Sequence, residues 1–595
     1  MKTLQERYLR IKQNAKVDVA LVSCPTPVLL DKTGTPYSPV RTNYFPHAQV
    51  LVATETKEEM KRKCVEGEVK IVDLKSLEKP DEWRAKLTPY GELQHGERKL
   101  TKNFIGDGMQ RITELGEYDV VGITSNFTSE ANSVRTVIEK ATKHNSNAII
   151  VVGGRDASVR PQFYRKIGAD IVATGDSDIS FPNFVCDLVS GGTINIGELP
   201  SQRAKVLPQL DFGLLPNLKR YKESGSGDFQ LDFEKRPLAA YLETSRGCDR
   251  ECDFCTERLT KRDNFDLNYV EQVVTHYKAN GIRTLLFSDD NILTRLNHKN
   301  GEAELIEIFQ FLRREGMIWE FSVGLEIGRL LDRNGRIRRE LIDAMFWNNN
   351  DPNDWQGAFR MLAPFENLKE GLTLYTKLRS WEEHLKVMEA IVETGLPQIN
   401  MGVMFGWPDD TRVEIEMIRQ RARSFREMIK GKNRTINNAF NTGMNLSLFC
   451  TMPLPGTPLY EEMAIAVRIA YDIEKHPELW NVFTSVLRGD CFAPEEITEI
   501  RRQIITEFES DQPQGKVRFQ GQLNCVNETK RSFDWTVARV IDIYLATWKN
   551  EAYHTNRTER ERRAQELKFR LELLRTEWGK TIRNQVELYQ RLLEK

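Results

Sequence analysis

Three cysteines fall within eight residues in the segment Thr244-Ser245-Arg246-Gly247-Cys248-Asp249-Arg250-Glu251-Cys252-Asp253-Phe254-Cys255. The chain has nine cysteines, otherwise scattered, which argues for thiolate chemistry rather than a disulfide scaffold. A cuboidal four-iron cluster usually takes four thiolate ligands. Three on one loop leave the fourth iron open to a small molecule, so the spacing implies chemistry at iron rather than electron storage alone. Structural zinc is the main alternative. It prefers four ligands in paired clusters, but no second cysteine cluster lies nearby and the next downstream histidine is His276.

The elements around this segment must position it. Candidate strands occupy 239–243, 284–288, 319–324, 360–362, 398–404 and 445–450, with helical patterns at 269–278, 304–314 and 382–394. Six strands with intervening helices suggest a partial (β/α)6 barrel over residues 237–471, with its chemistry at the carboxyl ends of the strands. The cysteine segment follows the first of them.

Residues 17–195 read as a separate α/β domain. Apolar runs at 19–22, 69–74, 120–124, 148–152 and 170–174 alternate with helical stretches such as 131–144, the pattern of a doubly wound, Rossmann-like parallel sheet. Ligands of such sheets bind at the carboxyl ends of the strands. Here those ends carry Pro25 and Pro27, Thr124-Ser125-Asn126, Gly153-Gly154 and Gly175-Asp176-Ser177. A linker, 196–236, contains Pro200, Pro208, Pro216 and Ser224-Gly225-Ser226-Gly227. A C-terminal region, 472–595, reads as helical, and Leu567, Leu571, Leu574, Trp578, Ile582, Tyr589 and Leu593 mark an amphipathic helix expected to dock on the body.

The cysteine spacing, with Phe254 before the last cysteine, resembles the radical S-adenosylmethionine superfamily. The resemblance implies a [4Fe-4S] cluster on Cys248, Cys252 and Cys255, whose open iron chelates S-adenosylmethionine. Further segments resemble the family in order along 237–471. Phe287-Ser288-Asp289-Asp290-Asn291 is similar to the segment contacting the cofactor's amine, which implicates Asp290. Glu326 is expected near the ribose, and Pro364-Phe365-Glu366-Asn367 with Lys377 resembles a segment after the fourth strand. Gly402-Val403-Met404-Phe405-Gly406-Trp407-Pro408 resembles the segment beside the adenine, which implicates Gly402 and Gly406. Pro453-Leu454-Pro455-Gly456-Thr457-Pro458-Leu459-Tyr460 resembles the closing segment of members with an N-terminal cobalamin domain.

The doubly wound domain itself resembles that cobalamin-binding domain, with Ser125, Gly153, Gly154 and Gly175 as expected cofactor contacts. The chain lacks the Asp-x-His-x-x-Gly motif by which many cobalamin proteins ligate cobalt, and His47 is more simply read as a satisfied or surface histidine. The resemblance implies methyl transfer from S-adenosylmethionine through methylcobalamin to an unreactive carbon of a small molecule or amino-acid-derived substrate. An external reductase or a ferredoxin- or flavodoxin-type donor would supply electrons. Cobalamin-dependent rearrangement or cyclisation without methyl transfer, and a cluster-binding regulator, are the alternative readings.

The rest of the composition narrows the class. In 595 residues, 40% are hydrophobic, 29% charged and the net charge is −1, so a large core is expected and no general attraction to nucleic acid. The N-terminus has no signal-like apolar stretch and no apolar run approaches ~20 residues, so no membrane association and a cytoplasmic location are expected.

Overall fold

The computed structural model describes residues 3–510 except 39, 41–42, 107, 109–110, 192–196, 206, 222–237, 259, 351–354, 367, 369–379 and 435–441. The amphipathic helix expected at 567–593, Lys377, Asn367 and the Ser-Gly run of the linker lie outside the described residues.

Strands β1 (Val19–Ser23), β2 (Val69–Asp73), β3 (Val120–Thr124), β4 (Ile149–Gly153), β5 (Ile171–Ala173) and β6 (Glu198–Leu199) form one parallel sheet in the order β2-β1-β3-β4-β5-β6. Both faces are covered, which is why these strands read as continuous apolar runs. Val19, Leu21, Ile149 and Val151 join one core cluster, while their neighbours Ala20, Val22, Ile150 and Val152 join another. The order reverses between β1 and β3, the position at which doubly wound sheets bind ligands. The expected helix is present as Ala131–His144.

Strands β7 (Leu238–Leu242), β8 (Ile282–Phe287), β9 (Ile318–Phe321), β10 (Gly357–Glu366), β11 (Gln398–Phe405) and β12 (Gly443–Cys450) form a second sheet, parallel and in sequential order. Helices Leu267–Ala279, Gly301–Arg314, Arg339–Met345, Trp381–Glu393 and Arg412–Asn433 fill the crossovers, as in an open six-stranded barrel. Local capping starts several of them: Asp266 accepts from Tyr269 N, Ser380 from Glu383 N, and Thr411 with Glu414 forms a capping box.

Two features have no counterpart in the sequence reading. The short β6 comes from the linker and extends the first sheet. A three-stranded antiparallel sheet (Thr26–Leu30, Arg98–Ile105 and Leu87–His95, with Arg98–Ile105 central) is inserted after β1. It is pinned by the chain beyond the barrel. Glu478, almost wholly buried, lies 3.0 Å from Lys102 Nζ, accepts from Tyr90 Oη at 2.6 Å, and accepts from Asn132 Nδ2 at 2.5 Å. Removing one partner of a buried pair strands the other charge. Glu478→Ala is therefore expected to lower the unfolding free energy by about 3–5 kcal/mol in denaturant titration. Glu478→Gln, which keeps hydrogen-bonding capacity, is expected to cost less.

Candidate cofactor site at the junction of two parallel sheets

The cysteine segment leaves β7 as a loop closed by a two-residue antiparallel ladder, Ser245–Arg246 against Asp263–Asn264. Cys248 is buried; Cys252 and Cys255 are partly buried. At Gly247 φ is +84° and an added Cβ would lie 2.2 Å from Lys261 O, so glycine is required to turn the chain into the loop. Gly247 N donates to Asp290 Oδ2 (2.9 Å), Cys248 N to Thr260 Oγ1 (2.8 Å), Cys255 N to Cys252 O (3.1 Å) and Leu459 N to Asp253 O (3.0 Å). Phe254 packs edge-on to Trp407, with ring centroids 6.2 Å apart.

Glu257 N points at Cys255 Sγ from 3.4 Å, the kind of hydrogen bond to sulfur that tunes an iron–sulfur cluster. Among the described residues no three His, Cys, Asp or Glu side chains converge on one point as a single metal ion requires. Thiolates on different irons of a cuboid need no such convergence. The cysteine-only donor set on a partly buried, braced loop suits a cluster better than structural zinc.

Asp289, Asp290 and Glu326 divide the work around the loop. Asp289 is buried and accepts from Thr244 N (3.2 Å), Thr244 Oγ1 (2.6 Å) and Ser245 Oγ (2.6 Å). Burial raises its pKa, with these bonds opposing. It ties the end of β7 to the end of β8. Asp290 is partly exposed beside the loop, with Oδ1 2.9 Å from Arg155 Nη2. Glu326 Oε2 accepts from Asn291 Nδ2 (2.8 Å) and Arg329 Nε (2.6 Å), and Oε1 lies 2.9 Å from Arg250, which sits between two of the cysteines.

The strand-end loops of the first sheet face this loop. Arg246 pairs with Asp178 after β5 and with Glu243 (2.8 Å). Arg203 of the linker joins Asp176 (2.6 Å) to Asp263 (3.2 Å). His47 approaches Glu243 at 3.8 Å rather than standing at the surface. Burial alone would raise the Glu243 pKa, but His47 and Arg246 outweigh it and hold it at about 2. A carboxylate depressed from 4.5 to about 2 contributes stability above pH 4.5 that is lost as pH falls toward 2. Glu243→Gln is expected to flatten that limb of the stability–pH curve, read by thermal melts between these values.

The expected cobalamin contacts differ in what their neighbours allow. The Ser125 hydroxyl is fully buried and bonded to Tyr164 Oη (2.7 Å), so that side chain is turned into the domain. Gly154 has φ +104° and lies where a Cβ would meet Ser125 O at 2.4 Å. A Cβ on Gly153 would meet only Ala173, its Cβ at 3.5 Å and its carbonyl oxygen at 4.0 Å, both ordinary contacts, so the protein itself does not require glycine there. Gly175 abuts Ser201, Gly406 abuts Ile497, and Gly402 lies on the inner barrel face beside Leu362 and Phe449. Large apolar side chains stay exposed on three strand-end loops: Phe127 after β3, Ile179 after β5 and Val323 after β9.

Inside the barrel, Glu320 and Arg360 form a buried ion pair in register on β9 and β10. Asn400, Met404, Asn445, Ser447, Leu362 and Phe449 are only partly buried, whereas their strand neighbours pack outward into the main core. Asn400 Oδ1 accepts from Asn445 Nδ2 (3.2 Å) and Gln398 Nε2 (3.3 Å).

Residues 106–185 match the B12 binding domain family. An uncharacterized methyltransferase of Pyrococcus horikoshii is 22% identical over 437 residues, 69% of this chain and 82% of that protein. The cytidylyl-2-hydroxyethylphosphonate methyltransferase of Streptomyces wedmorensis is 25% identical over 270 residues, 38% of this chain and 47% of that protein. The structure of the cobalamin-dependent S-adenosylmethionine radical enzyme OxsB with aqua-cobalamin and S-adenosylmethionine bound superposes with a TM-score of 0.55 at 13% identity, over 93% of this chain and 75% of that one. The chain therefore has that fold, and the doubly wound domain and open barrel expected from the sequence are both present.

The glycine pair gives a test that separates fold from ligand. Gly154→Ala forces an alanine into a left-handed conformation against a carbonyl and is expected to cost about 1–3 kcal/mol of stability. Gly153→Val is expected to leave the melting temperature nearly unchanged while corrin retention after gel filtration falls at least tenfold.

Proposed function

We propose that this chain, which joins a B12-binding domain to the fold of a cobalamin-dependent S-adenosylmethionine radical enzyme, is a methyltransferase of that class. The observation that carries the proposal is the junction: three cysteines on one loop at the barrel mouth, faced by the strand-end loops of the B12-binding domain. Held there by Cys248, Cys252 and Cys255, a [4Fe-4S] cluster would supply the electron that cleaves S-adenosylmethionine, and cobalamin would carry the methyl group. Both matched relatives bear the name methyltransferase, which favours methyl transfer over rearrangement.

The chain's own residues have distinct parts in this reading. The strand end at Gly153 leaves room for a large ligand, and Phe127, Ile179 and Val323 offer apolar surface to a flat macrocycle. Asp290, which already accepts from Gly247 N and Arg155, would attract the ammonium of S-adenosylmethionine with its remaining acceptor capacity. Glu326 braces the loop through Arg250 and retains acceptor capacity toward ribose hydroxyls. Gly402, within β11, and Gly406, just after it, belong to the segment expected beside the adenine. The inner barrel wall, with Asn400, Asn445 and Ser447 and a self-neutralised Glu320–Arg360 pair, suits a small molecule with neutral hydrogen-bonding groups. An external reductase or small electron-transfer protein would reduce the cluster. Among the described residues no helix is long and apolar enough to cross a membrane.

The test is anaerobic reconstitution with iron, sulfide and hydroxocobalamin, followed by metal analysis and visible spectroscopy. About four irons and one corrin per chain are expected, with iron lost and corrin kept when Cys248, Cys252 and Cys255 are replaced by alanine. With S-adenosylmethionine and a low-potential reductant, S-adenosylhomocysteine is expected to form. Iron without corrin would sink the methyltransferase assignment; zinc in place of iron would sink the radical chemistry altogether.

A further inference from the structure

The residue immediately after Gly153-Gly154 is Arg155, and its side chain leaves the B12-binding domain. Nη2 lies 2.9 Å from Asp290 Oδ1 and Nη1 lies 2.9 Å from Glu257 Oε1. Asp290 in turn accepts from Gly247 N, the residue before Cys248, while Glu257 N points at Cys255 Sγ. One guanidinium thus grips both ends of the cysteine loop, upstream of the first thiol and downstream of the last. The fork geometry of arginine suits two carboxylates at once.

We infer that Arg155 is a positioning residue that fastens the B12-binding domain to the cluster loop and sets the charge around the cluster. The inference rests on the cluster reading above. Its side chain is 51% exposed, so the ion pairs add little to folding stability. Its two carboxylate partners stand beside the thiols, and Arg155 is the cation that bonds to both. Reduction adds a negative charge to the cluster. A nearby cation stabilises the reduced form and raises the potential, and unpaired carboxylates lower it. The same guanidinium is attached to the strand end where a corrin would sit, so the two cofactor sites share one charged link.

The experiment is a potentiometric titration of the reconstituted full chain, following the reduced cluster by electron paramagnetic resonance, in wild type, Arg155→Gln, Arg155→Lys and Glu257→Gln. Arg155→Gln is expected to weaken reduction about tenfold, a fall of ~59 mV for a one-electron couple. Arg155→Lys keeps the charge and is expected to stay within twofold of wild type (~18 mV). Glu257→Gln, which leaves the cation uncompensated, is expected to shift the potential the opposite way. A role confined to holding the loop in shape does not separate Arg155→Lys, which keeps the charge, from Arg155→Gln, which loses it. Arg155→Gln within twofold of wild type, or an equal fall in Arg155→Lys, would overturn the inference. If Arg155→Gln retains no cluster, Arg155→Lys decides alone: a cluster within twofold of wild type supports the assignment, and loss of the cluster or a tenfold weakening refutes it. Wild-type protein without iron would instead defeat the cluster reading on which this rests.

Discussion

Everything at the barrel mouth depends on how an irregular loop is held. Among the described residues, 247–262 form no helix or strand, so their backbone groups must find partners outside the loop's own ladder. They find them in separate parts of the chain: a carboxylate after β8, a threonine hydroxyl within the loop, and the segment that follows β12. The arrangement of the three thiols is therefore a property of the assembled unit. A local sequence motif specifies the donors, but distant residues specify where they stand.

The same dependence explains the unusual density of buried charge nearby. Asp289, Glu243, Arg246 and Glu326 are all largely withdrawn from water. Each burial is costly unless the group is paired and hydrogen-bonded. Here each one has partners on another element: Asp289 on the segment just after β7, Glu243 on the helix that begins at His47, Arg246 on the loop after β5, Glu326 on the cysteine loop. Such contacts add little net stability compared with apolar packing, but they penalise any arrangement in which the elements are shifted, because a shift leaves an unpaired buried charge. Precision of placement is what they supply, and a loop that presents thiolates needs it more than a helix core does.

Much of this was legible in the sequence because the two parallel sheets are buried on both faces. Runs such as Val19–Ser23 and Ile149–Gly153 are apolar without interruption, and the strand ends are marked by glycine and small polar residues. The antiparallel insertion was not legible. Leu87–His95 is largely exposed and interrupted by Pro89 and Gly91, so neither periodicity nor propensity marks it as a strand until its partner Arg98–Ile105 is in place. The position of Ser125 after β3 marks it as a strand-end residue, but nothing local shows that its hydroxyl bonds to Tyr164, a residue of a later helix. The role of Arg155 is hidden in the sequence for a related reason. An arginine beside two glycines is unremarkable until folding brings Asp290 and Glu257, more than a hundred residues away, to its guanidinium.

A parallel sheet places the carboxyl ends of all its strands, and the loops that leave them, on one side, and this chain contains two such sheets in one compact unit. Each alone offers a ligand edge open to solvent. Chemistry that moves a group from one ligand to another requires both edges to face the same space, and nothing in the topology of either sheet imposes that. The polar bridges do. Arg155 leads from the first sheet to the barrel, Arg246 leads from the barrel back to the first sheet, and Arg203 of the linker touches both. Arginine is suited to this task because its charge is permanent and its donors are planar and several, so one side chain fixes orientation as well as distance. The link between the two halves is thus electrostatic and directional at the mouth, where ligands must enter, and apolar behind it, where water must stay out.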